Sequence, residues 1–221
     1  MATLQLDPAT LNAMRQLLQG KNRKWATPGD MAQHLDPDTI QTPALQLIDQ
    51  TLIDTTNTTD GRAIITLPPQ EGKSQRVSRR YPLWTLTHNP NTRIAIVSYS
   101  HAVARRWGRT IRDDITTHPD LGLTIRPDLS AQHEWQLAEA QGGVYTTGIG
   151  GSLTGRPVDL LIIDDPIKDR EQADSTIYRN RVWDWWTDVA STRLAPGAPV
   201  ILILTRWHQD DLACLLYTSD A

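Results

Sequence analysis

Apolar positions along the chain follow two different periodicities, and the change between them comes near residue 61. In the first stretch Asp7-Pro8 offers a helix cap and a first-turn proline, Leu11, Met14 and Leu18 share one face, and Gly20 can end the helix. Thr42-Pro43 opens a second helix carrying Leu45, Ile48 and Leu52, and the polar residues 54–61 read as a loop. Beyond that point short apolar runs alternate with helical patterns. The pattern predicts strands over 63–67, 93–99, 158–163 and 200–205, helices over 102–116 and 171–191, and a less regular middle. Runs such as Leu160-Leu161-Ile162-Ile163 suit strands covered on both faces, and their alternation with helices predicts a mostly parallel α/β sheet flanked by helices. Within 102–116, Val103, Trp107, Ile111 and Ile115 recur every four residues and predict a stripe packed on the sheet. Arg105, Arg106, Arg109 and Arg112 fall elsewhere, as a solvated basic face.

Composition narrows the classes. A length of 221 residues fits one domain or one with a small appendage, and 39% hydrophobic with 21% charged residues excludes a disordered polyelectrolyte or a coiled coil. The longest apolar runs fall far short of the ~20 residues a spanning helix needs, and no signal-peptide core opens the chain, so neither membrane insertion nor export is expected. The lone Cys214 rules out an internal disulfide and a cysteine-type zinc site, which fits a reducing compartment. The formal net charge is −3, so contact with nucleic acid has to come from local basic patches.

Chemistry concentrates at the ends of the apolar runs. Leu67-Pro68-Pro69-Gln70-Glu71-Gly72-Lys73-Ser74 lies between a strand and a helical pattern with Val77, Tyr81 and Trp84. Backbone N–H groups of such a loop point at an anion, the lysine neutralises it and the serine reaches a magnesium ion. The consensus asks for a glycine at 67, where this chain has leucine. The run 159–163 ends in Asp164-Asp165-Pro166, and ligands of parallel sheets bind at that carboxyl edge, where the loop also emerges. Asp164 suits a role on Mg²⁺ opposite Ser74, and Asp165 suits orienting an attacking water. Thr205, at the end of 200–204, is placed to sense the terminal phosphate. Gly148-Ile149-Gly150-Gly151-Ser152-Leu153-Thr154-Gly155-Arg156 fails as a dinucleotide loop and reads as a mobile turn presenting Arg156 near the phosphate edge. His208, Asp210 and Asp211 supply no complete metal-ligand set, and the two acids read as helix caps.

Taken together, these blocks resemble the ATPase domain of the large terminase subunit of tailed bacteriophages. The resemblance rests on Pro68 to Ser74, on Val97-Ser98-Tyr99-Ser100, on Leu153-Thr154-Gly155-Arg156-Pro157, on Leu161 to Lys168 and on Thr205 to Ala213, in the family's order. It implies an additional-strand (ASCE, RecA-like) P-loop NTPase fold and a Mg²⁺-dependent ATPase that drives double-stranded DNA into procapsids. It implies ATP held by Pro69, Gln70, Glu71, Gly72, Lys73 and Ser74, metal at Ser74 and Asp164, and catalysis by Asp165 with Thr205 in the coupling motif. Arg156 carries over as a finger acting in trans. The implied partners are double-stranded DNA, the portal protein and the small terminase subunit, in a homo-oligomeric ring at the portal vertex of the procapsid, in the host bacterial cytoplasm. Two departures qualify it: Asp165 stands where many P-loop motors have glutamate, and the family's C-terminal nuclease domain is not within these 221 residues, so endonuclease activity is expected only of a full-length protein. The expected organisation is a helical segment over 1–60, the ATPase core over 61–213 and an unmatched tail over 214–221 that reads as a truncation artefact. Arg76, Arg79 and Arg80 and the arginines of 102–116 are candidate DNA contacts. The rival readings are a helicase-like translocase and an inactive prophage remnant that only binds DNA or portal.

Overall fold

The computed structural model describes residues 25–153 and 155–219. The helix expected around Leu11, Met14 and Leu18 lies outside them. Helix α1 (Pro28–Leu35) begins in a capping box: the Thr27 hydroxyl accepts from the Asp30 N–H at 3.0 Å and the Asp30 carboxylate accepts from the Thr27 N–H at 2.9 Å. Helix α2 (Pro43–Asn57) has Thr42 as its cap, as the sequence predicts, but runs into the stretch expected to be a loop. Thr55 and Thr56 there donate their hydroxyls to the carbonyls of Thr51 and Leu52, at 2.7 and 2.6 Å. Those bonds satisfy the hydroxyls inside the helix, and Thr55 is buried there.

The core is one seven-stranded sheet in the order β1-β7-β6-β2-β5-β4-β3. Strands β1 (Arg62–Thr66), β7 (Val200–Leu204), β6 (Leu160–Asp164), β2 (Arg93–Ser98) and β5 (Gly143–Gly148) are parallel. Strands β4 (Glu134–Leu137) and β3 (Ile125–Ser130) extend the sheet antiparallel, so the irregular middle of the sequence is a meander. Alternate strand residues feed two apolar layers. Ile94, Ile96, Ile162 and Ile203 pack with Val77 and Tyr81, with Leu83 and Trp84 of helix α3 (Tyr81–His88), and with Trp107, Ile111 and Ile115 of helix α4 (His101–Thr117). Val97, Leu161, Ile163 and Leu202 pack on the other face with Val182, Trp185 and Leu212.

The helix expected over 171–191 is broken. Helix α5 (Arg170–Asp174) stops at Ser175, whose backbone is extended, and helix α6 (Thr176–Trp185) then runs into a π-wound turn (Trp186–Ala190) and a 3₁₀ turn (Ser191–Arg193). Asp174, Ser175 and Thr176 all favour local side-chain bonds over helix, which explains the break. Helix α7 (Leu212–Ser219) closes the described chain. Among the described residues no helix is long and apolar enough to cross a membrane.

Candidate active site

Register puts the chemistry in one row. Thr66 pairs with Leu204, Asp164 with Ile203, and Ser98 with Asp164, so the loops after β1, β7, β6 and β2 open at the same edge of the sheet. The loop after β1 turns through two left-handed residues, Gln70 at φ 69° and Gly72 at φ 77°. Only glycine takes such a φ without strain, which is why Gly72 stands before the lysine. Leu67, in place of the missing first glycine, packs against the core instead of turning. The chain after Ser74 starts with a π-wound turn (Gln75–Arg80) that continues into α3.

Three sequence-predicted residues meet Lys73 or Ser74 directly. The buried Lys73 ammonium lies 3.4 Å from Asp165 Oδ2 and donates to the Thr205 hydroxyl at 3.3 Å. The Ser74 hydroxyl donates to Asp164 Oδ1 at 2.9 Å. Asp164 is only 3% exposed, and burial pushes its carboxyl up to about 6, with the neighbouring Asp165 charge adding to the rise and hydrogen bonds from Ser78 and Ser74 opposing it. Asp165 sits at φ 46°, a left-handed conformation costing of order 1 kcal/mol or more for a side-chain-bearing residue. Three bonds hold it there: its N–H donates to the Ile203 carbonyl at 2.8 Å, its carbonyl accepts from the Tyr99 N–H at 3.1 Å, and its Oδ1 accepts from the Thr205 N–H at 2.8 Å. Pro69, Gln70 and Glu71 form the exposed outer turn of the loop.

A strand-loop-helix turn, an acid beside its serine and a second acid beside its lysine meet at one sheet edge, an arrangement chemically able to take a phosphate and a cation. The family model described as terminase large subunit, T4likevirus-type, N-terminal, matches residues 64–217. The chain belongs to that family.

No curated protein matches the sequence. Among solved structures, the large terminase of bacteriophage HK97 matches with a TM-score of 0.57 and 17% identity, over 83% of this chain and 37% of that one. The ATPase domain of the Thermus phage P74-26 large terminase matches with a TM-score of 0.52 and 14% identity, over 80% and 69%. At such identity the likeness speaks for the fold, the P-loop NTPase fold of terminase ATPase domains. The chain spans about a third of the HK97 protein's length.

Within this terminase domain Arg156 does not join the others. Its guanidinium forks onto the Glu134 carboxylate, Nε at 3.1 Å and Nη2 at 3.0 Å, and lies 4.3 Å from the centre of the Tyr145 ring. Tyr145 belongs to β5, four strands from β1, or about 19 Å at normal strand spacing. The turn expected to present Arg156 at the chain's own phosphate edge places it elsewhere.

Sequence reasoning also missed what fixes the π-wound turn. Arg76 pairs with Asp49 of α2 at 2.5 Å and donates to Gln41 at 2.6 Å, and Arg79 and Arg80 both reach Asp114 of α4, at 2.7 and 3.2 Å. Gly29 passes so close to the first group that a Cβ there would collide with Asp49 Oδ2. These arginines are engaged in internal pairs. Ser78, fully buried, donates to Asp164 Oδ2 at 2.8 Å. Its position four residues after Ser74 is a same-face helical spacing, a signal too common among surface residues to single it out. Asp211 accepts from the Cys214 N–H at 3.1 Å and pairs with Arg206, so it caps α7 as expected.

Proposed function

We propose that this domain is the ATP-hydrolysing motor of a phage terminase, translocating double-stranded DNA into a procapsid as a ring at the portal vertex. The observation that carries the reading is the convergence of Lys73, Ser74, Asp164, Asp165 and Thr205 within hydrogen-bond reach from three strand ends. ATP phosphates take the loop N–H groups of residues 70–74 and the Lys73 ammonium. Ser74 and Asp164 fit a divalent cation, Mg²⁺ for ATP, because a hydroxyl and a buried carboxylate already face each other there. The bound ion would neutralise charge on the phosphate oxygens.

Arriving phosphate draws Lys73 off Asp165, leaving that carboxylate to orient water and take its proton. Thr205, bonded to both, registers the change. Lys73→Ala abolishes nucleotide binding or hydrolysis in this reading. Asp165→Asn keeps ATP binding and loses about 10²–10³ in turnover, the usual cost of one positioning or electrostatic group. Normal turnover in Asp165→Asn removes the catalytic assignment.

DNA binding falls to Arg105, Arg106 and Arg109, exposed on α4 and without a carboxylate partner among the described residues. Replacing all three by glutamine lowers the salt dependence of duplex binding by about 0.9 for each phosphate that these arginines neutralise. An unchanged slope in a salt titration moves DNA to another face. The portal protein and small terminase subunit remain the partners of this reading, in the host bacterial cytoplasm.

A further inference from the structure

We infer that Ser78 is a positioning residue for the divalent cation: it holds Asp164 in the orientation that leaves the carboxylate's remaining lone pairs facing Ser74 and the phosphate loop. The inference rests on the nucleotide-site reading above and adds a residue to it.

The hydroxyl of Ser78 has an ordinary alternative. A serine or threonine inside a helical segment commonly bonds the carbonyl one turn back. Thr85, in the next helix, does so, donating to the Tyr81 carbonyl at 2.9 Å. Ser78 donates its hydroxyl to Asp164 Oδ2 at 2.8 Å, across to a different element of the fold. Ser74 occupies the other oxygen at 2.9 Å. Each carboxylate oxygen therefore has one serine, and the two serines come from successive turns of the segment that leads out of the phosphate loop. One hydrogen bond would leave the carboxylate free to swing about χ2; two, on opposite oxygens, fix its plane.

The segment that carries Ser78 is itself fixed. Arg79 and Arg80, its neighbours in sequence, are bonded to Asp114 of α4, and Arg76 is bonded to Asp49 of α2. Groups that orient a metal ligand from behind typically matter by about 10–100-fold in metal affinity or activity. Ser78 is 0% exposed and behind the carboxylate, so it has no route to nucleotide or water except through Asp164.

The test is nucleotide binding by the chain, read with a fluorescent ATP analogue, titrated with Mg²⁺ and repeated in EDTA. Ser78→Ala should raise the Mg²⁺ concentration for half-maximal binding about 10–100-fold and leave the EDTA affinity unchanged. The EDTA arm also reports that the variant is folded. In an Asp164→Asn background the same substitution should have no further effect on the Mg²⁺ response. A Ser78→Cys variant, similar in size with a weaker donor, should fall between wild type and Ser78→Ala. An unchanged Mg²⁺ midpoint in Ser78→Ala overturns the inference, as does an equal loss with and without metal, which is what a merely structural role produces. Wild type silent in both arms overturns the nucleotide reading itself, and the assignment with it.

Discussion

The two ends of the sheet follow different construction rules. Strands β6 and β7 are buried at every position, whereas β3 at the far edge has no buried residue. The fully buried strands end in the residues that meet Lys73 and Ser74. The half-open meander ends in the Glu134–Arg156 pair, whose side chains are 30% and 40% exposed. The residues proposed for catalysis sit where packing leaves no freedom, and Arg156, expected to act in trans, sits where an ion pair can open at little cost. An exposed pair of this kind contributes about 0–1 kcal/mol, small enough for a phosphate to displace.

The largest expected effect sharpens that contrast directly. Leu161→Ala in β6 should cost about 2–5 kcal/mol, while Ile125→Ala in β3 should cost about 1 kcal/mol, by denaturant unfolding followed at equilibrium. Equal costs would mean that the meander is as much a part of the core as the parallel strands.

Asp164 gives the next effect. Its folded carboxyl is raised to about 6 from an ordinary 3.8, so the folded state holds a proton that the unfolded state has released between those values. Stability without divalent cations should therefore fall as pH rises from about 4 to 6 and stay lower above that. Asp164→Asn should flatten this dependence and stabilise the metal-free chain at pH 7, by an amount on the order of 3 kcal/mol. A pH series of thermal melts decides it; an unchanged slope would mean that burial of this acid is fully offset by its two serines.

The smallest stability effect is expected at Arg156, where Arg156→Ala should change unfolding by under about 1 kcal/mol. Turnover is the informative readout. Arg156→Ala subunits mixed with Asp165→Asn subunits should recover part of the hydrolysis that each lacks alone. No recovery at any ratio would leave Arg156 as a clamp on Glu134 and Tyr145.

The same contrast explains what could be read from sequence. A strand buried on both faces is a nearly unbroken apolar run, so 158–163 and 200–205 predict β6 and β7 to within a residue or two. Asp164, Asp165 and Thr205 follow from them because the end of such a strand is the end of its apolar run. The meander has no such run: Pro127 and the Gly142-Gly143 pair interrupt it, and a Cβ at Gly143 would collide with the Trp135 carbonyl. That glycine is required by close strand approach, which a one-dimensional pattern does not record. Ser78, Asp49 and Asp114 were hidden for another reason. Their partners are 86, 27 and 35 residues away, and a polar side chain at a buried helical position looks in sequence like any surface residue.

The six residues after Ser74 are riveted to three carboxylates on three separate elements, Asp164, Asp49 and Asp114. Opening this turn locally would strand several buried charges at once, so its amides should exchange with deuterium only when the whole domain unfolds. The support of the proposed phosphate loop thus keeps its shape whether or not the loop is occupied. In the function proposed above, binding energy from each incoming nucleotide would then be free to move other parts of the molecule, since little of it would go to ordering the cradle that receives it.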